Sequence, residues 1–254
     1  MATNSQIIPS SILDTVSQSE ALSYGDLLPD DSVDLVMTDL PYGTTRNKWD
    51  SVIDPELFWK MCDRVLSPDG VVAMTTAQPF TSTMVVSNIK NFKVEWIWSK
   101  TIGSGQLNIK HQPLRTHESV LVFYRKPGTY NPQMTEGEAY VMTRKAAGSE
   151  SGYGGQRDVE VVNDGVRHPK TVLRFPNPRI SGGHPTQKPV PLFEYFIRTY
   201  SNPGDVVFDP CMGAGTTAVA SILNDRHFVG CELDKGYMGK IRKNISSAYE
   251  RKGK

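Results

Sequence analysis

The chain of 254 residues is 38% hydrophobic and 22% charged, which is typical of a globular protein with room for one large domain and an insertion. Its net charge of only +1 excludes a uniformly basic surface, so any affinity for nucleic acid must come from a local patch. The three cysteines lack CxxC spacing, which argues against structural zinc. The sequence has no signal segment and no apolar run near the roughly 20 residues of a membrane span, so we expect a cytoplasmic protein.

The N-terminal part of the chain predicts a short lead-in followed by strands of a buried sheet. Residues 1–20 are polar and rich in serine, so order is expected to begin near Ala21. The apolar run 33–38 is of the kind found in parallel strands that are buried on both faces. Similar runs predict strands at 71–76, 94–99 and 119–124.

Proline and the spacing of apolar residues mark the predicted helices. Residues 54–66 carry Pro55 in the first turn and apolar residues at helical spacing. Helices are also predicted over 79–89 and 184–200, and residues 67–70 predict a turn into the following strand.

Residues 127–180 interrupt this pattern and predict an insertion. The segment has many glycines and little periodicity, and between residues 141 and 180 seven Lys or Arg stand against four acids. A solvated loop and a surface that contacts the phosphates and bases of a nucleic acid are both consistent with that charge. The candidate substrate contacts are Lys48, Arg144, Lys145, Arg157, Arg167, Lys170, Arg174 and Arg179.

Residues 204–220 contain a loop that is typical of nucleotide-cofactor sites. The apolar strand 206–208 ends at Asp209 and leads to Gly213 and Gly215, which let the backbone approach a ligand at the carboxyl end of a parallel strand. Glu232 ends the next predicted strand, where it could accept hydrogen bonds from ribose hydroxyls.

The loop alone does not identify the cofactor, because Gly213, Gly215 and Ala218 also fit the G-x-G-x-x-A pattern of dinucleotide sites. After Gly215 there is room for one helix, one strand and a closing helix, so the other strands must come from upstream. The sequence therefore predicts an α/β fold with a Rossmann-like, doubly wound and mostly parallel sheet that is circularly permuted.

The turn Asp39-Leu40-Pro41-Tyr42 follows the predicted strand 33–38, which places it at the carboxyl edge of the sheet beside the cofactor loop. The amino group of a base is a poor nucleophile, because its lone pair is delocalised into the ring. The Asp39 carboxylate and the Leu40 carbonyl could accept its two hydrogens and direct the lone pair at an electrophile, while Tyr42 offers a face for an extruded base. Taken alone, the four residues also fit an ordinary β-turn with an aromatic plug.

The order of the two motifs resembles that of the β-class amino-methyltransferases of DNA, in which a D/N/S-P-P-Y turn precedes a D-P-F-x-G-S-G-T-T cofactor motif. The resemblance extends from about Tyr24 to Tyr237 and includes residues 184–189 (HPTQKP). It implies S-adenosylmethionine as cofactor, double-stranded DNA as substrate and direct methyl transfer to N6 of a flipped adenine, without a metal. The alternatives are cytosine-N4 methylation with the same geometry, an RNA or protein methyltransferase, and a non-catalytic DNA-binding module.

The resemblance also implies roles for individual residues. Asp39, Leu40, Pro41 and Tyr42 would hold the target base. The implied cofactor contacts are Asp26, Thr186, Lys188, Phe208, Asp209, Gly213, Gly215, Thr216, Thr217 and Glu232. The implied organisation is a lead-in of residues 1–20, a catalytic domain of residues 21–126 and 181–254 with an inserted target-recognition region of residues 127–180, and a homodimer or a partner restriction nuclease as further associations.

Two departures from the family pattern bear on the chemistry. Leu40 replaces the first proline of the turn but keeps the carbonyl. Cys211 replaces the usual phenylalanine, and with Pro210 it imitates the nucleophile of cytosine-C5 enzymes. Because Cys211 belongs to the cofactor loop, we expect it to be a packing residue.

Overall fold

The computed structural model of the chain describes residues 7–43, 51–144, 158–178 and 187–253. The chain forms two compact units, one of residues 1–131 and 171–254 and the other of residues 132–170. The smaller unit is shorter than the predicted insertion, because residues 172–174 add a strand to the sheet of the larger unit. Target recognition by the smaller unit stays a prediction.

Twelve strands form three sheets in the described part of the chain. In chain order they are β1 (Thr15–Gln18), β2 (Val33–Thr38), β3 (Leu66–Thr76), β4 (Phe92–Ser104), β5 (Arg115–Tyr124), β6 (Thr135–Glu136), β7 (Tyr140–Arg144), β8 (Val159–Asn163), β9 (Val166–Arg167), β10 (Val172–Arg174), β11 (Val206–Asp209) and β12 (His227–Glu232).

The sheet of the larger unit has eight strands in the order β1-β12-β11-β2-β3-β5-β4-β10. All neighbours are parallel except β5, which runs antiparallel to both β3 and β4. Strand β11 precedes the glycine loop and comes late in the chain, yet it lies inside the sheet between β12 and β2. This topology confirms the predicted α/β fold with a mostly parallel sheet.

Six helices cover the two faces of this sheet in the described residues. They are α1 (Ala21–Gly25), α2 (Pro55–Val65), α3 (Phe80–Ser87), α4 (Val190–Tyr200), α5 (Thr216–Leu223) and α6 (Lys235–Lys252). Strand β2 shows why both faces are needed: Val36 packs in a cluster with Phe58 of α2, whereas Leu35 and Met37 pack in another with Phe196 of α4. A strand buried on both sides reads as a continuous apolar run, which is the pattern that predicted it.

Three local predictions differ from the structure. Residues 15–18 are not a loose lead-in, because they form β1 and pair in parallel with β12 at the edge of the sheet. Residues 67–70 lie within β3, where the register with β2 shifts between Leu66 and Val71, so the chain bulges there and does not make a free turn. The predicted helix at 184–200 begins at Val190, and residues 179–186 lie outside the described part of the chain.

The described residues of the smaller unit form two short antiparallel ribbons. Strand β6 pairs with β9, and β7 pairs with β8. The side chains of β7 are all exposed. Within the described parts of both units, no helix is long and apolar enough to cross a membrane.

Candidate active site

A cavity of about 670 Å³ opens at the carboxyl edge of the eight-stranded sheet. One part of its wall is formed by residues that end or follow β1, β2, β11 and β12, and another part by the end of β4 and the beginning of β5. Parallel strands place their carboxyl ends at one edge, where ligands of such sheets bind. The predicted catalytic turn and the predicted cofactor loop therefore line the same cavity.

The glycine loop depends on backbone angles that favour glycine. Gly213 has φ +53° and Gly215 has φ +82°, and Gly215 is the N-cap of α5. A side chain at Gly215 would also approach Ile241 of α6 to 3.3 Å. Gly215 therefore shapes the loop and does not line the cavity, whereas Gly213 does line it.

Asp209 holds the glycine loop against β2. Its carboxylate is 2% exposed and accepts hydrogen bonds from Thr38 Oγ1 at 2.8 Å, the Cys211 backbone N at 2.9 Å and Thr217 Oγ1 at 2.5 Å. Burial raises the pKa of Asp209 to about 7. These three hydrogen bonds connect Asp209 to β2, to the glycine loop and to α5; its contact with the cofactor stays a prediction.

Asp209→Asn is expected to increase stability at alkaline pH. A folded-state pKa raised from 3.8 to about 7 means that wild type loses stability as the pH rises through this range. Asparagine keeps Oδ1 as an acceptor without a charge, so the variant should gain roughly 2–4 kcal/mol over wild type at about pH 8, since one pKa unit is about 1.4 kcal/mol. Thermal melting at about pH 5 and pH 8 measures this, and an equal difference at both pH values would contradict it.

Glu232 connects the end of β12 to the glycine loop. It is 8% exposed, and it accepts hydrogen bonds from the Gly213 backbone N at 2.7 Å and the Asp234 backbone N at 2.8 Å. Burial raises the pKa of this carboxyl. Glu232 lines the cavity, and its contact with ribose hydroxyls stays a prediction.

Asp39 follows β2 and binds three donors through one oxygen. Its Oδ1 accepts hydrogen bonds from Tyr42 Oη at 2.7 Å and Thr75 Oγ1 at 2.5 Å, and it lies 3.0 Å from Lys188 Nζ. Among the described residues no donor contacts Oδ2. One carboxylate oxygen is thus fixed by the protein, and the other remains able to accept a hydrogen from a ligand.

Lys188 joins Asp39 to a buried chain of charges. Its Nζ also lies 3.1 Å from Glu118 Oε2, and Lys100 forms a second ion pair with Glu118. Burial opposes the charge of Lys188, but the carboxylates of Asp39 and Glu118 outweigh it and hold the pKa of the ammonium well above its usual value. Lys188 is 7% exposed, so it is a buried cation whose charge is balanced by two acids.

The ring of Tyr42 packs on the protein. It stacks on Phe80 with 5.3 Å between ring centroids, and Lys188 Nζ lies 5.2 Å from its centroid. Burial and the nearby Asp39 raise the pKa of the Tyr42 phenol well above its usual value, which keeps it protonated as a donor to Asp39. Stacking of a base on this ring stays a prediction.

The structure brings most of the predicted site residues to the cavity wall. Those that line it are Asp39, Leu40, Pro41, Tyr42, Lys188, Asp209, Gly213, Thr216, Thr217 and Glu232. Phe208 does not, because side chains alternate along β11 and Phe208 is buried against Tyr24. Asp26 does not either, because it is exposed at the end of α1, whereas Glu20 at the beginning of α1 lines the cavity. Thr186 lies outside the described residues.

Several residues of the site carried no predicted role. Thr75 contacts Asp39, Glu118 contacts Lys188 and Lys100 contacts Glu118. Trp98 and Arg115 line the cavity. Each belongs to β3, β4 or β5 close to the carboxyl edge. Polar residues at the ends of the predicted strands were the signal that could have identified them.

The predicted substrate contacts differ in their surroundings. Arg144, Lys170 and Arg174 are exposed. Arg167 is half-buried, hydrogen-bonds Asn163 and the Glu138 carbonyl, and lies 4.9 Å from the centroid of Tyr140, so it stabilises its own unit. Lys48, Lys145, Arg157 and Arg179 lie outside the described residues.

Comparison with known proteins places this geometry in context. The model of the N6/N4 DNA methylase family matches residues 33–243. The DNA adenine methyltransferase YhdJ of Escherichia coli K12 is 29% identical over 254 aligned residues, which cover 92% of this chain and 84% of the relative.

Solved structures share the fold. The M1.HpyAVI–SAM complex has a TM-score of 0.62 at 23% identity, and the alignment covers 91% of this chain and 98% of that one. The cytosine-N4-specific PvuII DNA methyltransferase has a TM-score of 0.64 at 16% identity, with 94% of each chain covered. These likenesses agree with the predicted Rossmann-like sheet.

Proposed function

The chain belongs to the N6/N4 DNA methylase family, and on that premise we propose that it methylates the N6 amino group of adenine in double-stranded DNA. It is a DNA methyltransferase that uses S-adenosylmethionine as its methyl donor. We infer the residues that hold the target base from the cavity.

The arrangement around Asp39 is the observation that carries this proposal. Its Oδ1 is occupied by Tyr42, Thr75 and Lys188, which leaves Oδ2 to accept one hydrogen of an amino group. The Leu40 carbonyl would accept the second hydrogen. With both hydrogens bound, the nitrogen lone pair no longer conjugates fully with the ring and points away from the two acceptors. Holding the reacting nitrogen in this orientation supplies much of the rate.

The residues of the cavity fit the cofactor. Its volume of about 670 Å³ is in the range of small-molecule sites. A Cβ placed on Gly213 would meet no atom within 4 Å, so the loop leaves open space at its surface. Glu232 offers a carboxylate for ribose hydroxyls, and Thr216 and Thr217 would lie near the methionine part.

Bound S-adenosylmethionine supplies a methyl group on a positively charged sulfur. The protein's part is to align the amino nitrogen with that group, and no covalent enzyme intermediate is required. The protonated thiol of Cys211 agrees with a mechanism that has no covalent intermediate. Burial is the main cause that raises the pKa of this thiol well above its usual value, and the negative charge of Asp209 is the second. A thiol that holds its proton in this way is a poor nucleophile.

Cytosine-N4 methylation is the second candidate, since it requires the same arrangement of acceptors. The fold does not separate the two, because PvuII DNA methyltransferase is cytosine-N4-specific. The acidic residue at position 39 and the adenine specificity named for YhdJ favour adenine.

Modified-base sequencing tests the proposal directly. DNA would be taken from cells that lack other DNA methyltransferases and express this protein. We expect N6-methyladenine within one short sequence. N4-methylcytosine in its place would establish the second candidate, and unmodified DNA from cells with folded protein would overturn both.

We also propose that the smaller unit, residues 132–170, contributes to DNA recognition. Its exposed Arg144 and Lys170 support this. Neutralisation of phosphates by such residues supplies most nonspecific affinity for DNA.

Arg144→Glu is expected to weaken binding to DNA of every sequence and to reduce the slope of log affinity against log salt by about one, if Arg144 contacts phosphate. Lys243→Glu, on the exposed side of α6, is the matched control and should bind like wild type. Fluorescence anisotropy over a salt series measures both slopes. Equal slopes for Arg144→Glu and wild type would contradict the contact.

We further propose that the protein forms a homodimer, that it has a partner restriction nuclease and that it is located in the cytoplasm. The three cysteines are all free, which suits a reducing compartment. Light scattering on the purified protein tests the dimer, and fractionation of the producing cells tests the location.

A further inference from the structure

The connection between β4 and β5 carries large apolar side chains in solvent. Leu107 is 100% exposed, Ile102 and Ile109 are 64% and 62% exposed, and Leu114 is 43% exposed. Scattered apolar residues on a surface are ordinary, but here four exposed ones lie within thirteen residues, Ile102 near the end of β4 and the other three in the connection to β5. Such a concentration in the sequence favours a binding role. We call residues 105–114 the β4–β5 turn.

The residues that flank this turn on both sides line the wall of the cavity. Ser104 and Arg115 are paired across β4 and β5, and both line the cavity. The Asn108 N–H donates to the Gly105 carbonyl at 2.9 Å, and the His111 N–H donates to the Asn108 carbonyl at 2.9 Å. Leu107 therefore stands at the tip of a compact hydrogen-bonded turn beside the cavity.

The charge of this region suits a polyanion. From residue 96 to residue 117 the chain has three Lys or Arg (Lys100, Lys110 and Arg115) and two histidines (His111 and His117), and the nearest acids in the sequence are Glu95 and Glu118. Lys100 is buried in its ion pair with Glu118, which leaves Lys110 and Arg115 as the cations beside Leu107. Lys110 and Arg115 are exposed. Cations beside an apolar tip match DNA, which presents phosphates beside an apolar stack of bases.

An apolar side chain at the tip of a turn could fill the gap that base extrusion leaves in the DNA. A base that leaves the duplex opens a gap in the stack, and proteins that deform DNA insert Leu, Ile, Met or Phe side chains between bases. Removal of an exposed leucine side chain from water lowers the free energy, so its burial between bases would offset part of the unstacking energy.

We propose that the β4–β5 turn inserts Leu107 into the base stack of DNA when the target base enters the cavity, with Lys110 and Arg115 near the adjacent phosphates. This inference rests on the proposed function, because the turn acts only if the protein extrudes a base from duplex DNA. Leu107 then promotes extrusion of the base and takes no part in methyl transfer itself.

The experiment compares Leu107→Ser with Ile89→Ser on two DNA substrates. Ile89 is 65% exposed and precedes the amino end of β4, at the edge of the sheet opposite the cavity. One substrate is the matched duplex that carries the recognition sequence found by sequencing. The other has the target base opposite an abasic site, which lowers the energy needed for extrusion.

Leu107→Ser is expected to lower kcat/KM on the matched duplex by about tenfold or more and on the abasic duplex by less than about threefold, because only the first substrate needs full help with extrusion. Ile89→Ser should match wild type on both. A 2-aminopurine at the target position should fluoresce less with Leu107→Ser than with wild type, and binding of S-adenosylmethionine should not change.

Equal losses on the two substrates, or no loss, would overturn the role of Leu107. So would a change from dimer to monomer in light scattering with unchanged extrusion, since the turn would then cover a second copy of the chain. Failure of the proposed function is distinguishable, because wild type itself would then methylate neither substrate.

Discussion

Asp39→Ala is expected to reduce methyl transfer by roughly 10²- to 10³-fold, the range that follows loss of one positioned hydrogen-bonding group in an active site. The reason is that we propose Asp39 Oδ2 as the acceptor for the amino group, while Oδ1 is held by the protein. Binding of S-adenosylmethionine should be nearly unchanged, because the glycine loop is held by Asp209 and Glu232 instead.

Single-turnover methylation and calorimetry measure the two quantities separately. Asp26→Ala is a suitable control, because Asp26 is a carboxylate that the structure places outside the cavity wall. We expect it to retain both activity and cofactor binding. An active Asp39→Ala enzyme would remove the proposed acceptor, and loss of cofactor binding by Asp26→Ala would restore its sequence-based role.

Lys188→Met is expected to destabilise the fold by about 3–5 kcal/mol and to impair methyl transfer, because it leaves two partly buried carboxylates with fewer partners. Lys188 is the cation between Asp39 and Glu118. Without it, Asp39 loses one of the three donors that fix its orientation.

Lys100→Met is the matched control for this variant. Lys100 is also buried and pairs with Glu118, but it does not contact Asp39. It should destabilise the protein while kcat falls much less than in Lys188→Met. Equal effects of the two variants on kcat would show that Lys188 supports the fold only and does not position Asp39.

The destabilisation by Lys188→Met should also depend on pH. Burial opposes the charge of Glu118, but Lys188 and Lys100 outweigh it and lower the pKa below 4.5. Stability from these pairs is present above the unfolded value and is lost as the pH falls through the lowered one. The difference in unfolding free energy between wild type and variant should therefore shrink in acid, and denaturant titrations near pH 7 and pH 4 would measure it.

The sequence predicted those parts of the site that local pattern determines. The apolar run of β2 and the glycines after β11 identified two adjacent strand ends, and their order in the chain predicted the permuted sheet. Both motifs line the cavity, because parallel strands end at the same edge.

Contacts between distant segments were not predictable in this way. Lys188, which precedes α4, contacts Asp39 after β2 and Glu118 in β5, and nothing in the local pattern around residue 188 indicates these two partners. Strand β1 was missed because an edge strand of four residues, Thr-Val-Ser-Gln, has no apolar run. Phe208 was misplaced because the motif identified its segment but not the face toward which it points.

The pairing of β1 with β12 affects the order in which the protein can fold during synthesis. Strand β11, which precedes the glycine loop, pairs with β2 on one side and with β12 on the other. Strand β2 is distant from β11 in the sequence, whereas β12 follows it closely. Until β11 has been synthesised, β2 has an open edge able to pair with other chains. The cofactor half of the sheet is therefore completed after β2 and β3, and its assembly requires β1 and β12, which are distant in the sequence, to come together.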